Sequence, residues 1–169
     1  MTPDPSLRTR DRPAIEVLRD RNFRLFFPAG LASQIGRWAW FLLSGYLVLQ
    51  LTDSTFLTQL VGVAFTLPLF LGGAVFGVIT DAFDRRWVIL TGQTLNVGLA
   101  TVAALLVFTG IVAAWHIIVL TFVLGASFTL DQIARRTMVL DMVDERLLPY
   151  GIGLDGVNMT AGLMVGSFL

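Results

Sequence analysis

Long apolar runs, interrupted by short charged or turn-forming stretches, dominate the pattern of this chain. A helix that crosses a bilayer needs about 20 mostly apolar residues, each rising about 1.5 Å through about 30 Å of hydrocarbon. By that measure the pattern predicts five spanning helices, at about 22–51, 57–80, 87–108, 111–130 and 152–169, behind a polar segment at 1–21. The first run is too long for a signal peptide and is followed by four more of its kind, so the polar start reads as a retained tail. Two domains are therefore expected: the tail, 1–21, and a helical transmembrane domain, 22–169.

The arginines orient this array. Six precede the first deep apolar positions (Arg8, Arg10, Arg12, Arg19, Arg21, Arg24), two lie between spans two and three, and three between spans four and five (Arg135, Arg136, Arg146). The connections around Asp53 and Gly110 contain none. Positive charge concentrates on the cytoplasmic side of spanning helices, so the N-terminus is expected there.

Composition narrows the function classes. Hydrophobic residues make up 55% of the chain and charged ones only 14%, where a soluble domain would carry about a quarter charged. Lipid is thus an expected partner. The formal net charge is zero, which argues against a nucleic-acid binder. Cysteine is absent and there is a single histidine, His116. There is no Gly-rich phosphate loop and no metal-ligand cluster, so neither an enzyme nor a cofactor is expected. His116, near Trp115 at a span mouth, reads as an interfacial residue ahead of a proton carrier.

Small residues suggest where helices pack. Gly73 and Gly77 form a GxxxG pattern in span two, and Gly153, Gly156, Gly162 and Gly166 recur in span five. Such faces let backbones approach closely in lipid. Pro68 removes a backbone donor from span two.

The charges inside or beside the spans need reasons, since burial in lipid costs on the order of 3 kcal/mol on insertion scales. Arg37 is thirteen residues after Arg24, about 20 Å along a helix, hence near mid-bilayer. Ser33, Gln34 and, deeper, Tyr46 could line a polar cavity with it, making these four the candidates for substrate or coupling. The alternative is that Arg37 pairs with a carboxylate on a neighbouring helix. Asp131 closes span four, with Arg135 at i+4 and Arg136 beside it, a spacing at which opposite charges share a helix face. A wider network on the same side, including Asp81, Arg85 and Arg86, is expected in preference to a solvated charge run.

The loop "GVITDAFDRR", Gly77 to Arg86, resembles the signature between helices two and three of the major facilitator superfamily, Gly-x-x-x-Asp-Arg-x-Gly-Arg-Arg/Lys. Gly77, Asp81, Arg85 and Arg86 match in register; Ala82 stands for the usual Arg and Asp84 for the usual Gly. The Asp at that position is familiar from a branch of drug and siderophore exporters. "RDRNFRLFFPAGLASQIGRWAWF" is similar to that branch's entry into helix one. "ARRTMVLDMVDERLLPYGIGL" is similar to its link between helices four and five, where Arg135 and Asp141 fall on an Arg and an acid.

That resemblance implies an all-α integral membrane fold, here about five helices of a truncated six-helix N-terminal half. It implies efflux of a small molecule (drug, siderophore or metabolite) by alternating access, coupled to protons, with the missing C-terminal half as partner. Localisation follows as a multi-pass protein of a cell membrane, expected to be a bacterial inner membrane. Gly77, Asp81, Asp84, Arg85 and Arg86 become a gating motif, and Asp131, Arg135, Arg136 and Asp141 a cytoplasmic charge network. The alternative is a small non-transporting membrane protein, or a truncated transporter acting at most as a helix-packing partner.

Overall fold

A computed structural model describes residues 21–142 and 148–168, all of them in helices or the short turns that join helices. Five helices run in order: α1 Arg21–Thr52, α2 Thr55–Ala82, α3 Arg85–Phe108, α4 Ala114–Met142 and α5 Leu148–Phe168. Each boundary has a local cause. α1 stops at Asp53, whose backbone enters the left-handed region (φ 50°), a conformation that short polar side chains tolerate. Ser54 then receives the Leu57 amide on its hydroxyl at 3.4 Å and opens α2. α3 ends at Thr109 and Gly110, the latter at φ 73°, where a side chain would be strained. α4 begins with a reciprocal pair: the Ala113 amide donates to His116 Nδ1 at 3.0 Å, and the His116 amide to the Ala113 carbonyl at 3.0 Å. That exchange satisfies two groups at a helix start in the manner of a capping box. His116 is therefore a helix-capping acceptor.

Two helices differ from the sequence pattern at their ends. α4 runs on to Met142 instead of closing near residue 130, and α5 starts at Leu148. Charge had marked the end of an apolar run, but the carboxylate of Asp131 finds its partners without leaving the helix. Among the described residues, three helices are long and apolar enough to cross a membrane, over Thr55–Gly73, Arg86–Phe108 and Ala114–Met138. α1 and α5 are as long, with 32 and 21 residues, but Ser33, Gln34 and Arg37 in one and Asp155, Asn158 and the glycines in the other dilute their apolar content.

α4 is the hub and touches the other four helices; the most extensive pairs are α2 with α4 and α1 with α5. Glycine sets both. Gly125 lies directly against the Phe65 backbone, and Gly162 against Gln34. A Cβ at Gly166 would come within 2.7 Å of the Ile35 carbonyl oxygen and 3.1 Å of the Ala39 amide nitrogen. Gly73, Gly77, Gly153 and Gly156 have nothing within 4 Å of such a Cβ, so among the described residues the GxxxG of α2 is not a helix contact. Packing depends on Gly125, Gly162 and Gly166 instead.

The apolar core at the far end from the arginine-rich loops joins Val48, Val61 and Ile117, with Leu47, Leu57 and Ile118 against them. Toward the middle of the bundle, Phe41, Phe65 and Phe128 form a ring-to-ring series at 5.3 and 5.4 Å between centroids. Large apolar side chains such as Phe70, Phe108 and Phe168 lie on the outside at 81%, 91% and 92% exposure. A surface of that kind requires an apolar solvent.

Candidate functional site

The aromatic series ends at a charged one. Arg37 of α1 donates from Nη2 to Asp131 Oδ2 of α4 at 2.8 Å, across 94 residues of sequence. Arg135, one turn further along α4, donates from Nε to the same oxygen at 2.8 Å. Gln93 of α3 reaches the other oxygen, Oδ1, at 3.5 Å. All three charged side chains are buried: 5% exposed for Arg37, 4% for Arg135 and 1% for Asp131. Two arginines against one carboxylate leave the trio with formal charge +1.

The Arg37 guanidinium has two further contacts. Its Nε donates to the Ser33 carbonyl one turn back at 3.3 Å, and its Cζ sits 4.9 Å from the Phe128 ring centroid. The planar guanidinium suits both the ring face and the carboxylate, which a compact ammonium would not match. One nitrogen, Nη1, is buried with no hydrogen-bond partner among the described residues, as is Gln34 Oε1, one turn earlier on α1. Charge-assisted bonds of this kind are about twice as strong as neutral ones. Removing one partner of a buried pair costs about 3–5 kcal/mol, because the remaining charge stays buried and unpaired.

The trio continues toward the end of the bundle where α1 begins, α4 ends and α5 begins. A Cβ at Gly30 would lie 2.9 Å from Arg135 Nη1 and 3.1 Å from Asn158 Nδ2, so both side chains pack over the bare Cα of Gly30. Asn158 donates from Nδ2 to the Phe27 carbonyl at 3.1 Å, next to Pro28. Asp155, one turn before Asn158 on α5, is half-buried and within electrostatic reach of Arg135, Arg136, Asp131 and Arg37.

Sequence-derived candidates separate here. Arg37, Asp131 and Arg135 come together, and Arg37 takes the ion-pair alternative. Gln34 is buried beside them against α5. Ser33 contributes its backbone carbonyl, while its hydroxyl bonds the Ala29 carbonyl at 2.9 Å. Tyr46 does not belong: it is 60% exposed and accepts from Gln50 at 2.8 Å. Asp131 is enclosed, with Arg37, Arg135 and Gln93 as its partners among the described residues. Arg86 and Arg136 are exposed. Asp84 is the N-cap of α3 and accepts the Arg86 amide at 2.9 Å, which explains a carboxylate at an amide end. Gly77 is half-buried in α2. The side chains of Asp81, Arg85 and Asp141 lie outside the described residues. Gln93, Asn158 and Asp155 were missed, though each is a polar residue inside an apolar run; Phe128 was missed too, and as an apolar residue in an apolar run it carried no such signal.

The comparison with known families agrees with a bundle of long apolar helices. Residues 13–167 match the family described as transmembrane secretion effector. The chain belongs to that family of major facilitator transporters. It is also 26% identical over 166 residues to the uncharacterized MFS-type transporter YkuC of Bacillus subtilis (strain 168), covering 92% of this chain and 37% of that protein. The chain thus spans well under half the length of this curated relative. No solved structure matches. Membership makes the five helices part of a multi-pass membrane transporter fold and places the chain outside enzyme families.

Proposed function

We propose that this family member serves export of a small molecule, driven by protons through the Arg37–Asp131–Arg135 trio. The observation that supports this reading is the Asp131 carboxylate, enclosed between two helices and held at one oxygen by two arginines. Ionisable groups in spanning segments mark ion or substrate pathways. A proton on Asp131 would cancel its attraction for both arginines at once and loosen α1 from α4, the kind of bistable contact that alternating access needs. The net positive trio, with Arg37 Nη1 unpartnered among the described residues, favours an anionic group on the cargo. The N-terminus is proposed to face the cytoplasm, and Asp81, Arg85 and Arg86 to latch the gate on that side. Alternating access is taken to require a second half like that of longer relatives.

The test is efflux from cells expressing the whole reading frame that contains this chain. Labelled cargo from three classes (a cationic dye, a catecholate siderophore, an organic-acid metabolite) should include one whose export stops when the proton gradient is collapsed. Export unaffected by that collapse would refute proton coupling.

A further inference from the structure

The two oxygens of Asp131 are unequally held. Oδ2 accepts from Arg37 Nη2 and Arg135 Nε, each at 2.8 Å, which fills its two lone-pair sites. Oδ1 has one partner among the described residues, Gln93 Nε2 of α3, at 3.5 Å, the outer limit of a hydrogen bond. A proton arriving at this carboxylate therefore has room on Oδ1 and none on Oδ2. There it meets the donor end of the Gln93 amide, hydrogen against hydrogen. A turn of that amide, which brings Oε1 to the acid, resolves the clash. The last torsion of a glutamine side chain is broad and roughly two-fold, so both orientations are open to it.

The turn would also carry Nε2 away from Asp131, and α3 holds an acceptor for it. Asn96 Oδ1 is buried with no hydrogen-bond partner among the described residues. Gln93 and Asn96 are three residues apart, a spacing that makes their side chains neighbours on one helix face. The backbone beside Gln93 is anchored to α4: Ser127 donates from Oγ to the Gly92 carbonyl at 3.3 Å. A Cβ at Gly92 would lie 3.3 Å from that same Oγ. Gln93 is thus held at its backbone, while its amide bonds Asp131 alone among the described residues. The charged groups around Asp131 are Arg37 of α1, Arg135 of α4 and, within electrostatic range on α5, Asp155. Among the described residues α2 brings no ion pair to it.

We propose that Gln93 is a positioning residue that reads the charge of Asp131: its amide donates to the carboxylate, then turns to accept from the acid while donating to Asn96 Oδ1. The inference rests on the reading of Asp131 as the proton-binding group. The proton joins Asp131 Oδ1, and no other covalent bond changes. One N–H···O bond is exchanged for an O–H···O bond to Gln93 Oε1 and an N–H···O bond to Asn96. A buried oxygen without a partner is costly, and the turned state removes that cost at Asn96. α3 thereby keeps its hold on α4 while Arg37 of α1 loses its own, which gives the release a direction.

The experiment is infrared difference spectroscopy on the whole reading frame that contains this chain, in lipid nanodiscs, with carbon-13-labelled glutamine. The Gln93 carbonyl band is assigned by its loss in Gln93→Met, and the Asp131 acid band by its loss in Asp131→Asn. On acidification the wild type should gain the acid band, and the Gln93 band should move to lower frequency as its carbonyl accepts a hydrogen bond. In Gln93→Met the acid band should lie at higher frequency, because the acid has lost its acceptor. Asn96→Leu should lower the ratio of turned to unturned Gln93 by about fivefold, the scale of one neutral hydrogen bond. Asp131→Asn carries a permanent donor, so its Gln93 band should be displaced already at neutral pH. The proposal is overturned by an acid band that appears with Gln93 unmoved, by equal acid bands in wild type and Gln93→Met, or by an unchanged ratio in Asn96→Leu. An undisplaced Gln93 band in Asp131→Asn overturns it as well. Where that variant does not fold, a Gln93 band unmoved in the acidified wild type does so. No acid band at any pH, with Gln93 displaced in Asp131→Asn, would support the turn and refute Asp131 as the proton-binding group.

Discussion

Arg37 Nη2 and Asp131 Oδ2 lie 2.8 Å apart and join α1 to α4 across 94 residues. The bond is one of two on the same oxygen, so the three side chains cannot be altered singly with equal effect. Asp131→Ala leaves two buried cations, whereas Arg37→Ala leaves Asp131 still held by Arg135. Unfolding of the chain in mild detergent should therefore show a loss near the upper end of about 3–5 kcal/mol for Asp131→Ala and a smaller loss for Arg37→Ala. Equal losses would contradict the shared-oxygen geometry.

Arg37→Lys should behave as a removal, not as a conservative change. A lysine ammonium has no planar face for Phe128 and cannot span the Ser33 carbonyl and Asp131 together. Thermal unfolding of Arg37→Lys is expected to resemble that of Arg37→Ala more than that of the wild type.

Asp84 caps α3 through the Arg86 amide at 2.9 Å. Asp84→Ala should cost about 1 kcal/mol, and Asp84→Asn, which keeps a capping oxygen, much less. Amide exchange at Arg86 reads this locally, and should quicken in the alanine variant alone.

Glycine positions divide sharply. Gly125→Ala puts a methyl into the Phe65 backbone and should separate α2 from α4, while Gly73→Ala meets nothing within 4 Å. A neutral to slightly stabilising Gly73→Ala is expected, since alanine is favoured over glycine in helices by about 1 kcal/mol. Cysteine pairs placed across α2 and α4 in this cysteine-free chain would form disulfides readily in the wild-type background and poorly beside Gly125→Ala.

Helix number and order were legible because apolar runs of spanning length are local features, countable along the chain. Arg37 was legible as a charge without reason at mid-span. Its partner was not: Asp131 sits on α4 at the point where hydropathy falls, and hydropathy alone cannot distinguish a carboxylate leaving the bilayer from one paired inside it. Gln93, Asn158 and Asp155 acquire meaning only from the crossing of α3, α4 and α5. Tyr46 stands apart from Arg37 because nine residues of helix turn it to the opposite side of α1, where it is exposed. Gly162 and Gly166 proved to be contact residues and Gly73 and Gly77 did not, because a small-residue pattern marks a possible face without naming the helix that lies on it.

Proton-driven export, as proposed, depends on Asp131 releasing both arginines once its carboxylate is neutral. Asp131→Asn, in the whole reading frame and reconstituted in proteoliposomes, fixes that residue in its neutral form. Cargo exchange down its own gradient should persist in this variant, while uphill transport driven by a proton gradient should be lost. Uphill transport retained by Asp131→Asn at the wild-type rate would contradict the account.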